Sequence, residues 1–102
     1  MIRFDSEKER DRFAELVILE RAGAISKLEC QKEYTLIPSL VREDGTKERA
    51  CKYIADFVYI EGGKEVVEDV KGYRDPKSAG YAKFVIKRKL MLKEYGITVR
   101  EV

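Results

Sequence analysis

Two aspartates and a lysine carry the first suggestion of chemistry. Asp56 lies in the run "YIADFVYIE", Asp69 and Lys71 lie in "KEVVEDVKGY", and Gly62-Gly63 separates the two. A Gly-Gly pair between two apolar runs is a strong signal for a two-residue hairpin turn. With the two glycines at the tip, Glu61 faces Lys64, Val58 faces Val67 and Asp56 faces Asp69. Directly opposed residues share a sheet face, with Cβ atoms about 4.5–5.5 Å apart. Two carboxylates that close repel, and one proton stays on the pair unless a cation compensates. Strand side chains alternate, so Lys71 shares the face of Asp69. The same alternation puts Glu68 opposite Phe57 on the other face, as a solvent-side or structural residue and not a ligand. Carboxylates that converge on one point, all oxygen donors, suit a hard cation such as Mg²⁺, with Mn²⁺ as a substitute. Such an ion with a lysine beside it fits phosphodiester hydrolysis.

A third acid comes from the first helix. Ser6 is a good N-cap, and Glu9 three residues on has the capping-box spacing. Phe13, Leu16 and Val17 stand four, seven and eight residues after Glu9, so Glu9 lies on the stripe that faces the sheet. Two roles compete for its side chain. It can bond back to the Ser6 amide, or it can reach the Asp56–Asp69 pair. Glu20 falls on the same stripe and reads as a solvated acid near the helix end. Gln31 and Glu33 occupy the polar phase of the first strand as second-tier candidates. If Asp44-Gly45 is a two-residue turn, Glu33 faces Asp56; a bulge near Pro38 shifts that by one.

The elements that position these groups follow from punctuation and period. Gly23 stops the first helix, and "LECQKEYTLIP" reads as a strand that ends near Pro38. The Asp-Gly turn and the two hairpin strands come next. "YRDPKSAGY" feeds a second helix from Ser78 to Tyr95, Gly96 ends it, and "ITVREV" is a short last strand. The order α-β-β-β-α-β predicts one α/β domain over residues 1–102, a mixed sheet flanked by helices. No repeat, linker or low-complexity segment interrupts it.

Composition narrows the functions. The chain has 102 residues, no histidine and two cysteines, Cys30 and Cys51. A zinc cluster or a Cys-His catalytic pair within the chain is thereby excluded, and the cysteines read as free thiols on strands. No stretch reaches the roughly 18 apolar residues of a membrane span. The start "MIRFDSEKER" lacks a signal-peptide core, which makes a cytoplasmic protein the expectation. Net charge is +2, but residues 71–102 hold nine Lys+Arg against three Asp+Glu, and residues 1–70 hold twelve against sixteen. A basic C-terminal third suggests a polyanion partner. Arg74 in the loop before the second helix, and Lys77, Lys83, Lys87, Arg88, Lys89 and Lys93 on and just before it, are the phosphate-binding candidates.

"IADF", eleven residues, then "DVKG" resembles the D…(D/E)-x-K core of the PD-(D/E)xK nuclease superfamily. "RFDSEKERDRF", "LECQKEYTLIP", "YIADFVY" and "VVEDVKGY", in that order, resemble a family of small phage endonuclease-like proteins. The resemblance covers most of the chain. It implies a restriction-endonuclease-like fold, with Asp56 and Asp69 as metal ligands, the Val70 backbone carbonyl as a third and Lys71 as the catalytic lysine. Glu9 matches the first-helix acid of related resolvases, and Gln31 matches a polar first-strand residue. Ala55 stands where the superfamily name has proline, and Asp stands at 69 where Glu is the alternative. The implied function is a Mg²⁺-dependent endonuclease that needs no organic cofactor. It would act as a homodimer on Holliday-junction or other branched DNA, in the cytoplasm of a bacterial host. Two other readings stay open. One is a non-catalytic nucleic-acid-binding protein on the same fold. The other is a structural module whose acids are satisfied by bases such as Lys71. The choice of DNA against RNA stays open as well.

Overall fold

Along the chain run α1 (Glu7–Arg21), β1 (Ser26–Ile37), β2 (Leu40–Val41), β3 (Lys47–Glu48), β4 (Cys51–Glu61), β5 (Lys64–Asp69), α2 (Ala79–Tyr95) and β6 (Arg100–Glu101). The structure, a computed structural model, describes Phe4 and residues 6–71 and 77–102.

The Gly62-Gly63 hairpin organises the sheet. Its register runs Glu61↔Lys64, Val58↔Val67 and Phe57↔Glu68, as the two-residue turn requires. Both glycines have positive φ, 59° and 78°, the geometry that a type I′ turn imposes and that L side chains resist. β1 pairs antiparallel with the other edge of β4. β6 returns parallel to β5, with Glu68↔Arg100 and Asp69↔Glu101. A parallel return needs a crossover, and α2 supplies it. The result is a mixed four-stranded sheet of order β1-β4-β5-β6. Its elements together with the helices follow the expected α-β-β-β-α-β order. β2 and β3 form a separate two-stranded ribbon.

Three findings alter the expected geometry. Asp44-Gly45 is not a two-residue turn. The ribbon pairs Leu40↔Glu48 and Val41↔Lys47, and Arg42 bonds to Thr46 across a three-residue loop. That moves the register by one, and an irregularity between Thr35 and Ile37 moves it again. Glu33 therefore lies opposite Ile54, and the count between Cys30↔Phe57 and Lys32↔Ala55 puts Gln31 opposite Asp56.

The second finding is that β1 and β4 change sides at one level. Tyr34 and Leu36 of β1, and Tyr53 and Ala55 of β4, pack with Phe84 and Met91 of α2. Leu28 and Cys30, and across from them Phe57 and Tyr59, pack with Leu16 on the α1 side. Uninterrupted alternation would keep each of these sets on one face. The pairing is unshifted through the level of Gln31 and Asp56, so each strand has one residue out of the pleat there. Gln31 has φ 54°, left-handed in mid-strand.

The third finding is that Glu68 is not solvent-side. It is fully buried on the α1 side, where Arg12 donates to both carboxylate oxygens at 2.8 and 2.6 Å and Tyr59 donates as well.

The helices are closed as their termini predict. The Ser6 hydroxyl accepts from the Glu9 amide at 3.1 Å. At the far end of α1 the Gly23 and Ala24 amides bond back to Glu20 and Leu19, a Schellman closure. α2 starts at Ser78 and ends at Gly96, φ 68°. Leu16 is fully buried and anchors α1 to the sheet; its truncation to Ala would cost about 2–5 kcal/mol. Cys30 and Cys51 are free and half-buried. No helix among the described residues is long and apolar enough to cross a membrane.

Candidate functional site

Glu9, Asp56 and Asp69 reach one region from three elements. α1 turns Glu9 inward by its helical phase, and only 5 % of the residue is exposed. Its carboxyl lies close enough to that of Asp56 to raise it. Asp56 has left the pleat. One oxygen, Oδ2, accepts from the Val70 backbone N–H at 2.7 Å, where a ladder bond would otherwise form. The two aspartates are thus not a flat cross-strand pair; the ladder stops at Phe57↔Glu68 and Asp56 lies beside the end of β5. Burial raises the Asp56 carboxyl, the Val70 N–H pulls it down, and the charges of Asp69 and Glu9 raise it further, to about 7.

Asp69 is compensated differently. Tyr53 donates its hydroxyl to Oδ2 at 2.7 Å, and Lys71 Nζ stands 2.8 Å from Oδ1. Lys71 Nζ also lies over the Phe84 ring, 3.9 Å from its centroid, a favourable seat for a cation. The Lys71 amide donates to the Val102 carbonyl, and the Val102 amide donates to that of Asp69. Lys8 Nζ donates to the Lys71 carbonyl at 2.7 Å. The acid and the lysine are therefore held by backbone and side chain at once. Asp56 and Asp69 have each taken partners of their own. Among the described residues no group of three or more such side chains is arranged to hold a metal ion as it stands.

A groove of about 440 Å³ opens beside Asp69 and Lys71. Its origin is the end of β5: Cys51 to Ala55 pair with β1, and β5 reaches β4 only as far as Phe57. α2 forms the opposite wall. Lys52, Lys71, Lys83 and Lys87 converge on this groove, against the acids Glu33 and Asp69.

The phosphate-binding candidates divide accordingly. Lys83 and Lys87 line the groove. Lys77 and Lys89 are exposed elsewhere, and Lys93 is exposed beside Glu94 at 3.9 Å. Arg88 is tied to Glu101 at 2.8 Å and serves the fold. Arg74 lies outside the described residues. Glu33 pairs with Lys52 at 2.9 Å, away from Asp56. Glu20 is exposed and accepts from the Leu28 amide at 2.9 Å, which pins the start of β1.

Sequence reasoning missed Tyr53, Phe84 and Lys52 in this region. Tyr53 and Lys52 carried no signal, because neither registers with Asp69 across the hairpin. Phe84 had one: an aromatic set between Lys83 and Lys87 on a basic helix face.

No curated protein and no solved structure matches the chain. The family model described as "Protein of unknown function (DUF1064)" matches residues 1–100, and the chain belongs to that family.

Proposed function

We propose that this protein is a metal-dependent endonuclease that hydrolyses DNA phosphodiester bonds, with a preference for branched DNA. One observation carries the reading. Asp69 and Lys71 pair on the wall of a lysine-lined groove, and the charges of Asp69 and of Glu9 from α1 both act on Asp56 of β4. The donor set fits a hard divalent cation. All donors are oxygens, and a half-buried carboxyl raised by burial and then by two neighbouring acids to about 7 is a place where a dication relieves repulsion. Asp56, Asp69, the Val70 carbonyl and Glu9 would hold Mg²⁺ or Mn²⁺. Such an ion supplies a bound water of lowered pKa and charge stabilisation at phosphorus. Lys71, seated on Phe84, holds its ammonium where a scissile phosphate that enters the groove would meet it. Tyr53 fixes the orientation of Asp69. Lys52, Lys83 and Lys87 bind the flanking phosphates as point charges. The D…D-x-K resemblance supports the same assignment, and symmetric cutting of a junction would use a homodimer.

A second reading, a non-catalytic nucleic-acid-binding protein, has one observation in its favour: Asp69 is already satisfied by Tyr53 and Lys71. Cleavage of labelled linear, nicked, flapped and four-way DNA with Mg²⁺ or Mn²⁺ separates the two. Asp56→Asn and Asp69→Asn should each lower the rate by a factor on the order of 10²–10⁴, while DNA affinity holds or rises. Turnover by either variant at the wild-type rate would place the chemistry elsewhere.

A further inference from the structure

The side change in the β1–β4 ladder has one backbone feature at its centre. Gln31 has φ 54°. It stands between the pairs Cys30↔Phe57 and Lys32↔Ala55, directly across from Asp56. On one side of this level the even residues of β1 and the odd residues of β4 face α1; on the other side the same phases face α2. A left-handed residue is what rotates a strand about its axis without insertion or deletion of a partner. If β1 ran straight through residue 31, β4 would follow its pairing partner and keep Asp56 in the pleat. Its carboxylate would then point out from a sheet face. The observed carboxylate reaches across to the Val70 amide at the end of β5, 2.7 Å away, and lies close enough to Glu9 to be raised by it. Lys27 shares the same φ of 54° but falls where the register slips between Ser26 and Glu29, an ordinary bulge. Gln31 differs in that the register does not slip. A left-handed conformation is uncommon for a residue that is not Gly, Asn or Asp, and such outliers concentrate at functional sites.

We propose that Gln31 is a positioning residue: its left-handed backbone turns β1 and β4 over together, so that Asp56 leaves the pleat and aims its carboxylate at Glu9 and the end of β5. Its effect on cleavage rests on the nuclease reading; its effect on the Asp56 geometry does not, and the experiment uses both.

The readout of geometry is the Val70 amide, whose hydrogen exchange and proton chemical shift report the bond to Asp56. Gln31→Gly and Gln31→Asn both accept a left-handed φ. They should keep Val70 protected and keep Mg²⁺-dependent cleavage within about threefold of wild type, the margin of a residue that acts through its backbone. Gln31→Val is β-branched and resists φ above zero. It should lower Val70 protection by roughly tenfold or more and lower kcat while the Kd for DNA is unchanged. Equal Val70 protection in the Gly and Val variants overturns the proposal. So does loss of that protection in Gln31→Gly, which decides the matter alone if the Val variant does not fold. Val70 protection that follows the pattern in a protein that cuts no DNA upholds the positioning role and removes only the nuclease reading.

Discussion

Glu68 and Asp69 are neighbours in sequence, and both are buried, yet they face opposite sides of the sheet. Glu68 faces α1 and meets a full set of donors. Arg12 grips it with a two-pronged hydrogen bond, and Tyr59 adds its hydroxyl. Burial raises this carboxyl, but Arg12 and Tyr59 outweigh burial and hold it below the ordinary carboxylate range. Asp69 faces α2, where Tyr53 and Lys71 hold it and its charge acts on Asp56. Two adjacent residues thus separate a charge that ties α1 to the sheet from one that stands beside a second acid. Each acid has a base and a tyrosine hydroxyl; what sets Asp69 apart is that its charge also raises a second carboxyl, Asp56.

The largest expected effect tests the structural side. Arg12→Met leaves Glu68 buried without its cation and should lower unfolding free energy by about 3 kcal/mol, the lower part of the range for broken buried pairs because Arg12 is part-exposed. Chemical denaturation measures it, and Mn²⁺ binding by the folded variant should survive. If Arg12→Met is as stable as wild type, Glu68 is not the fold-holding member of the pair.

Glu9→Gln probes the other side. The cleavage rate should fall on the order of 10²-fold, and thermal stability without metal should hold or rise, since a repelling carboxylate beside Asp56 is gone. Glu20→Gln, which keeps an acceptor for Leu28, should alter neither. Full activity in Glu9→Gln would return Glu9 to the helix cap.

The two sites should also answer pH in opposite directions. Asp56 has a folded value raised to about 7, above the value near 3.9 of an unfolded aspartate. Between about pH 4 and 7 the folded state therefore holds a proton that the unfolded state has lost, and stability falls as pH rises through that window. Glu68 is depressed in the fold, so its contribution is present above the unfolded carboxylate value and is lost as pH falls through the folded one. Metal-free melting curves should accordingly decline from pH 5 to pH 8 in wild type. They should flatten in Asp56→Asn, and an identical slope in that variant would reject the raised carboxyl.

The smallest effect concerns the groove. Lys83→Ala with Lys87→Ala should reduce the salt slope of DNA binding by roughly one unit for each phosphate that is no longer neutralised. The Lys89→Ala, Lys93→Ala pair, which lies off the groove, should leave the slope as it is. Equal slopes for the two pairs would mean that α2 binds DNA over its whole basic surface.

Much of this arrangement was legible in the sequence, for identifiable reasons. The Gly62-Gly63 turn fixes its own register, so the approach of Asp56 to Asp69 followed from counting. The helix ends were set by Ser6, Gly23, Ser78 and Gly96, each a local signal. Glu9 was found through its phase against Leu16. What stayed hidden was non-local. The side change at Gln31 cannot be read from alternation, because it breaks alternation in both strands while the pairing stays in step. The three-residue loop around Asp44 and the slip near Thr35 together moved Gln31, and not Glu33, opposite Asp56. Glu68 was placed on the correct face, but that face is covered by α1, and Arg12 and Tyr59 make its burial tolerable.

The most direct test of the central claim is calorimetric titration of Mn²⁺ into the metal-free protein near pH 7.5, side by side with Asp56→Asn. The expected result is saturable binding by wild type, with proton release as the raised Asp56 carboxyl gives up its proton, and no binding by Asp56→Asn. Wild-type protein that takes up no Mn²⁺, or Asp56→Asn protein that takes it up equally well, would contradict a metal site built from Glu9, Asp56 and Asp69.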